Sequence, residues 1–165
     1  MIGWMLLVLA LAAFAAPGGS NRAAPVEAGR GVVVTPAGGW TSAADVWQVG
    51  PNAVSLKRAG AVVVFAAEAY EGTDQELMAF QLSDLERQFD SYRALPTAPS
   101  TIAGDLPALT ALFSGTAESS RLEGELVVAT RTGTGIVVLA IAPAGQLSRV
   151  QADIDTMLET MVVPR

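Results

Sequence analysis

From Ile2 to Ala16 every position is apolar or glycine, whereas the rest of the chain alternates short apolar runs with turn residues. The first segment is fifteen residues long, and as a helix it would reach roughly 22 Å, short of the ~30 Å hydrocarbon core of a bilayer. That length suits the core of a signal peptide. Ala13-Phe14-Ala15 is similar to a cleavage triplet and Pro17-Gly18-Gly19 follows it, although no basic residue precedes the run. As a membrane anchor it would need to recruit Ala23 and Ala24 or begin upstream of Met1. The pattern therefore assigns 1–16 to a signal peptide or membrane anchor, 17–30 to a flexible linker rich in Gly, Ser and Pro, and 31–165 to one folded domain.

Within the domain the period of the apolar positions changes from two to between three and four and back. Gly31-Val32-Val33-Val34-Thr35 is β-branched and stops at Pro36; Val46 to Val49 is a second short strand. The runs 52–58 and 61–71 are separated by Ala59-Gly60, a hairpin spacing. In the first, Ser55 and Lys57 alternate with Val54 and Leu56, which predicts a wetter face; in the second, Val63, Phe65, Ala67 and Ala69 share a face. Thr73-Asp74-Gln75-Glu76 is a capping box that opens a helix. Its stripe is Met78, Leu82, Leu85, Phe89 and Tyr92, ended by Pro96 and Pro99. Three further strands, 106–113, 122–131 and 135–142, follow, with Thr132-Gly133-Thr134 closing a hairpin. The last of them is apolar on both faces and belongs at the centre of the sheet. A closing helix over 146–161 buries Leu147, Val150, Ile154, Met157 or Leu158, and Met161. The fold class predicted is α+β: an antiparallel β-sheet with helices packed on both faces (an α/β/α sandwich), preceded by the apolar N-terminal helix.

Charge narrows the partners. The formal charge is −6, and −7 for the domain once Arg22, the one charge before Glu27, is set aside. The longest basic cluster is Lys57-Arg58, so the chain repels phosphate backbones, and nucleic acid is excluded as a partner. The apolar fraction of 51% is built largely from Ala and Val, which predicts a core of small side chains.

The order of elements resembles the PsbP-like superfamily. The likeness rests on Val34-Thr35-Pro36-Ala37-Gly38-Gly39-Trp40, similar to the P-x-G-W opening of these domains, on the helix from Asp74, and on the closing helix after Ala142-Pro143. It covers Gly31 to Val163. In character the chain is nearest the actinobacterial, LpqN-type envelope proteins, but it has no cysteine to carry their lipid. The resemblance implies a partner-binding domain and transfers no functional residue.

Chemistry is constrained by what is missing. Without histidine or cysteine there is no triad, no thiol nucleophile and no nitrogen or sulfur metal ligand. Ser55 and Lys57 share a strand face, but a catalytic lysine must be desolvated. The carboxylate pairs Asp84/Glu86 and Asp153/Asp155 diverge by about 200° on their helices. Glu123 and Glu125 share a strand face beside Arg121, as on an exposed charge-paired strand. Gly133-Thr134-Gly135 has turn spacing, not that of a phosphate loop. Trp40, Trp47 and Tyr70 remain as candidate contacts for a partner or apolar ligand, with core packing the commoner fate of such rings. The sequence thus predicts no cofactor and no enzymatic activity. It predicts a membrane-associated or secreted accessory protein, on the extracytoplasmic side, that engages a protein partner in or near the membrane. The alternatives are a carrier of lipid or another apolar small molecule, and an enzyme working with carboxylates alone.

Overall fold

The computed structural model describes residues 23–44 and 52–165. The apolar segment 1–16, the linker up to residue 22, the strand expected at 46–49, and Trp47 lie outside the described residues. Among the described residues no helix is long and apolar enough to cross a membrane.

The domain is α+β, mostly antiparallel sheet with two helices. Its strands are β1 (Val26–Glu27), β2 (Val33–Val34), β3 (Thr41–Ser42), β4 (Val54–Arg58), β5 (Ala61–Ala69), β6 (Asp90–Ala94), β7 (Ala98–Ile102), β8 (Leu106–Ala117), β9 (Ser120–Arg131) and β10 (Thr134–Pro143). Helix α1 (Asp74–Gln88) separates β5 from β6; α2 (Gln151–Thr160) closes the chain after a 3-10 turn at Leu147–Arg149. The main sheet runs β3-β4-β5-β10-β9-β8-β6, with β7 also paired to β8, and every pairing is antiparallel. The run apolar on both sides, β10, is central as its pattern requires.

Two-residue turns set the registers. Ala59-Gly60 joins Arg58 to its partner Ala61, and Thr132-Gly133 joins Arg131 to Thr134, both with positive φ at the two central residues, the condition of a type I′ turn. The β8–β9 hairpin meets the same condition without glycine: Glu118 and Ser119 sit at φ 48° and 68°. A side chain in this region costs energy that glycine does not pay. Replacing Glu118-Ser119 by Asn-Gly is expected to raise stability by about 1 kcal/mol, read as a higher urea midpoint at unchanged slope.

The apolar side chains of the central strands sort by parity. Val63, Phe65, Ala67, Val127, Ala129, Ile136, Val138 and Ala140 join one cluster with Val150, Ile154, Met157 and Leu158 of the α2 region. Val64, Leu126, Val128, Val137 and Ile141 join the other with Leu77, Met78 and Leu85 of α1 and with Phe89. Since neighbours in a strand point to opposite faces, the two clusters follow the alternation of the strands.

Three expectations are corrected, and one strand is added. The fold begins before Gly31, because Val26-Glu27 pairs with Val34-Val33 and Ala28 is 1% exposed, so the last linker residues belong to the domain. Helix α1 stops at Gln88, where Phe89 turns extended, and Tyr92 falls in β6. The segment Ala98–Ile102 is a strand despite Pro99, which is tolerated because β7 has one partner, leaving the proline nitrogen no bond to lose. Finally, Ser55 is buried and not on a wet face.

Candidate functional site

The closing turn and α2 reach the sheet through two carboxylates. Glu123 accepts the Leu147 amide at 2.8 Å, and Glu125 accepts the Thr110 hydroxyl at 2.9 Å and the Gln151 amide at 2.7 Å. The exposed, charge-paired strand expected around Arg121 is therefore corrected: both glutamates are half-buried and orient the closing elements. Three of the other candidate acids are also engaged, while Glu86 is exposed on α1. Asp84 accepts Arg87 and Gln88 at 2.8 and 2.9 Å, Asp153 accepts Trp40 and Arg58, and Asp155 accepts Gln151.

Beyond Thr110 none of the described elements covers that face of the sheet. Register places three rows across β6, β8 and β9. Asp90, Thr116 and Arg121 form one; Arg93, Ser114 and Glu123 the next; Leu112 and Glu125 the third, where the Leu95 amide donates to the Leu112 carbonyl at 2.8 Å. Leu95 is 60% and Leu112 44% exposed, and Arg93, Ser114 and Arg121 are exposed beside them. Large apolar side chains left bare in a cluster with cations are the feature of this surface that packing does not explain. Sequence reasoning missed these residues. The only signal was the alternation of Leu112, Ser114 and Thr116, which by itself says nothing about which face a helix covers.

The edge strand beside this face resists pairing with another chain. A register shift between Asp90 and Arg93, with Ser91 at φ 52°, kinks β6, and Pro96 and Pro99 follow. Bulge, charge and proline are the devices that blunt sheet edges.

The aromatic candidates part company. Trp40 is 4% exposed, inside the α2-side cluster, and its indole N–H donates to Asp153 at 3.1 Å. Arg58 pairs with the same Asp153 carboxylate and donates to the Gly38 carbonyl at 3.0 Å. The motif from Pro36 to Trp40 thus has a mechanical meaning. The Trp40 amide closes on the Ala37 carbonyl at 3.2 Å, Gly39 at φ 83° supplies the positive φ of a type II turn, and the ring is delivered to the core. Tyr70 is half-buried next to Gly72 at the start of α1. Burial, and secondarily the charge of Glu76, push its phenol above the usual range. The capping box forms, with the Thr73 amide and hydroxyl both donating to Glu76, which holds that carboxyl below its usual range. Gly133 lies in the β9–β10 turn, and Ser55 and Lys57 lie in β4.

An open cleft of about 440 Å³ lies between β1 and the β3–β4 edge, lined among others by Val26, Glu27, Ser42, Asn52 and Val54. Among the described residues no helix contributes to its lining.

No family model matches the sequence, and no curated protein matches it. Solved structures do. The cyanobacterial PsbP (CyanoP) of Synechocystis sp. PCC 6803 aligns with a TM-score of 0.61 at 14% identity, over 93% of this chain and 99% of its own. The Ran-binding protein Mog1p of Saccharomyces cerevisiae aligns at 0.59 and 16%, over 88% and 96%. LpqN of Mycobacterium tuberculosis, involved in cell envelope biogenesis, aligns at 0.53 and 12%, over 86% and 90%. At such identities the likeness is one of fold, and it agrees with the resemblance carried by Val34 to Trp40: this chain has the fold that PsbP and Mog1 structures share.

Proposed function

We propose that the protein is a non-enzymatic accessory module of the cell envelope that engages a membrane or envelope protein through the uncovered face of its sheet. The observation that carries this reading is the exposure of Leu95 and Leu112 on a face whose other half is closed by α2. We read the parity of the two core clusters as a sheet with one helix on each face, so that α1 shields one side fully enough to leave recognition to the other. The apolar run from Ile2 to Ala16 supports membrane association or secretion, with the domain on the extracytoplasmic side. LpqN, of the same fold and tied by name to envelope biogenesis, supports that compartment, and the Ala/Val/Gly-rich composition supports the LpqN-type group. Glu123 and Glu125, the carboxylates that share a strand face, are holding α2 and its preceding turn in place, which argues against catalysis there. A lipid carrier is a weaker reading, because the rim of the cleft carries Glu27, Ser42 and Asn52, which suit a polar occupant.

The test is site-specific photocrosslinking in the native host with the full chain. A crosslinker at Leu112 is expected to yield a discrete adduct with one envelope protein, and one at Phe80 on α1 is expected to yield none. Identical adduct patterns from the two positions would remove this function.

A further inference from the structure

We infer that the occupant of this face is a second copy of the same chain, related to the first by a two-fold axis that lies along β8. The inference rests on the protein-binding reading above and names the protein bound.

The pattern of signs selects this occupant. β6 and β9 flank β8, and in two of the three rows they carry opposite charges: Asp90 against Arg121 across Thr116, then Arg93 against Glu123 across Ser114. The order reverses from one row to the next, so the face is neither acidic nor basic. Glu123 and Glu125 accept hydrogen bonds from neutral donors and keep their charge. A partner of uniform sign therefore meets a like charge in both rows. A copy turned over about β8 does not, because it lays its β6 on the first copy's β9, row on row. Asp90 then meets the other copy's Arg121 and Arg93 meets its Glu123, each twice, while Thr116, Ser114 and Leu112 meet their own equivalents on the axis. An axis across the strands matches the signs only when it lies between the two charged rows, and it then carries Leu95 and Leu112 out past the β8–β9 turn. The axis along β8 both matches the signs and covers the leucines.

The geometry of sheets permits the pair. Face-packed sheets cross at about 30°, which one strand spacing from the axis, about 4.8 Å, displaces the rows by about 2.4 Å, less than half of the ~6.8 Å between rows. Each charge therefore keeps its partner. Sheets pack about 10 Å apart, the thickness of a helix, so the second sheet lies level with α2 and the closing turn. The rows span about 300 Å² of sheet per copy, below the ~800 Å² per partner of a standard interface. Two domains of net charge −7 also repel at a distance, and Glu125, facing the other copy's Leu95, has no counterpart. The pair is thus weak and reversible.

The test is resonance energy transfer between donor- and acceptor-labelled full chains in detergent micelles, with the dyes on a cysteine introduced by Gln75→Cys, an exposed position of α1 in a chain with no cysteine of its own. Any association through the N-terminal segments is common to all variants. Asp90→Arg and Arg121→Asp, at exposed positions, are each expected to self-associate about tenfold more weakly than the parent. A mixture of the two is expected to regain the parental transfer, since one presents only arginines in that row and the other only aspartates. Thermal midpoints verify that each variant is folded. Transfer in the parent no greater than in either single variant, or a mixture no better than its components, overturns the inference. In the photocrosslinking above, the adduct from Leu112 is expected at twice the mass of the chain. An adduct with a different protein overturns this inference and leaves the protein-binding function standing, whereas identical patterns from Leu112 and Phe80 remove that function itself.

Discussion

Gly124→Ala is expected to lower the stability of the domain by about 3 kcal/mol, the upper range for forcing extra volume into a packed interior. Gly124 lies in β9 between Phe113 of β8 and Ile141 of β10. A Cβ there would enter the Phe113 ring and stand 2.5 Å from the Ala140 carbonyl oxygen, a backbone atom of the central strand that cannot swing aside. The ring occupies the space that glycine leaves and meets Phe89 and Tyr92 at centroid distances of 5.9 and 6.0 Å. Glycine, three rings and the kinked edge strand thus form one unit, and Tyr92 packed inward is what leaves Arg93, its neighbour, facing the open side. Equilibrium urea unfolding of Gly124→Ala, Phe113→Ala and the double variant checks this. Phe113→Ala alone should cost about 3–5 kcal/mol, and the double variant less than the sum, since removing the ring relieves part of the clash. A Gly124→Ala protein within 0.5 kcal/mol of the parent would show that the sheet accommodates the methyl and that the glycine is incidental.

What could be read from the sequence depended on whether local chemistry or tertiary context decides each feature. The capping box at Thr73 and Glu76 is local, and the helix starts there. The turns at Ala59-Gly60 and Thr132-Gly133 are local as well, and they set the registers of their hairpins. The end of α1 is not local: Phe89 and Tyr92 continue the helical spacing, but pairing of 90–94 with β8 outweighs the period and turns the chain extended at Phe89. Strand β7 carries a proline and buries only Ile102 at its end, so neither propensity nor alternation marks it; pairing with β8 makes it a strand. The candidate site was hidden for a related reason. Arg93, Leu112 and Arg121 lie on three strands and Leu95 just past the end of β6, and nothing in their spacing states that α2 stops short of them. The glutamates show the converse: Glu123 and Glu125 look like solvated charges until the closing turn is placed against them.

Trp40→Ala is expected to cost about 3–5 kcal/mol, a large share of the roughly 5–15 kcal/mol that holds a domain together. Two losses combine. The ring leaves a hole in the cluster that joins β2, β4, β5 and α2, and Asp153 loses the indole donor at 3.1 Å, keeping Arg58 as its partner. Trp40→Phe separates them: it retains most of the buried ring and removes only the N–H, so its cost should be about 1–2 kcal/mol, that of one hydrogen bond to a charged acceptor. Asp153→Asn, which keeps an acceptor for the indole but not the charge facing Arg58, should cost less than Trp40→Ala. Urea midpoints for the three variants decide between anchoring and recognition. If Trp40→Ala leaves the midpoint nearly unchanged while weakening the Leu112 crosslink in cells, then the ring is a partner contact and its burial does not stabilise the fold. If the midpoint falls as expected, Trp40 acts through the fold alone: it ties the Pro36–Trp40 turn to α2, the helix whose near end Glu125 fixes and beyond which the open face begins.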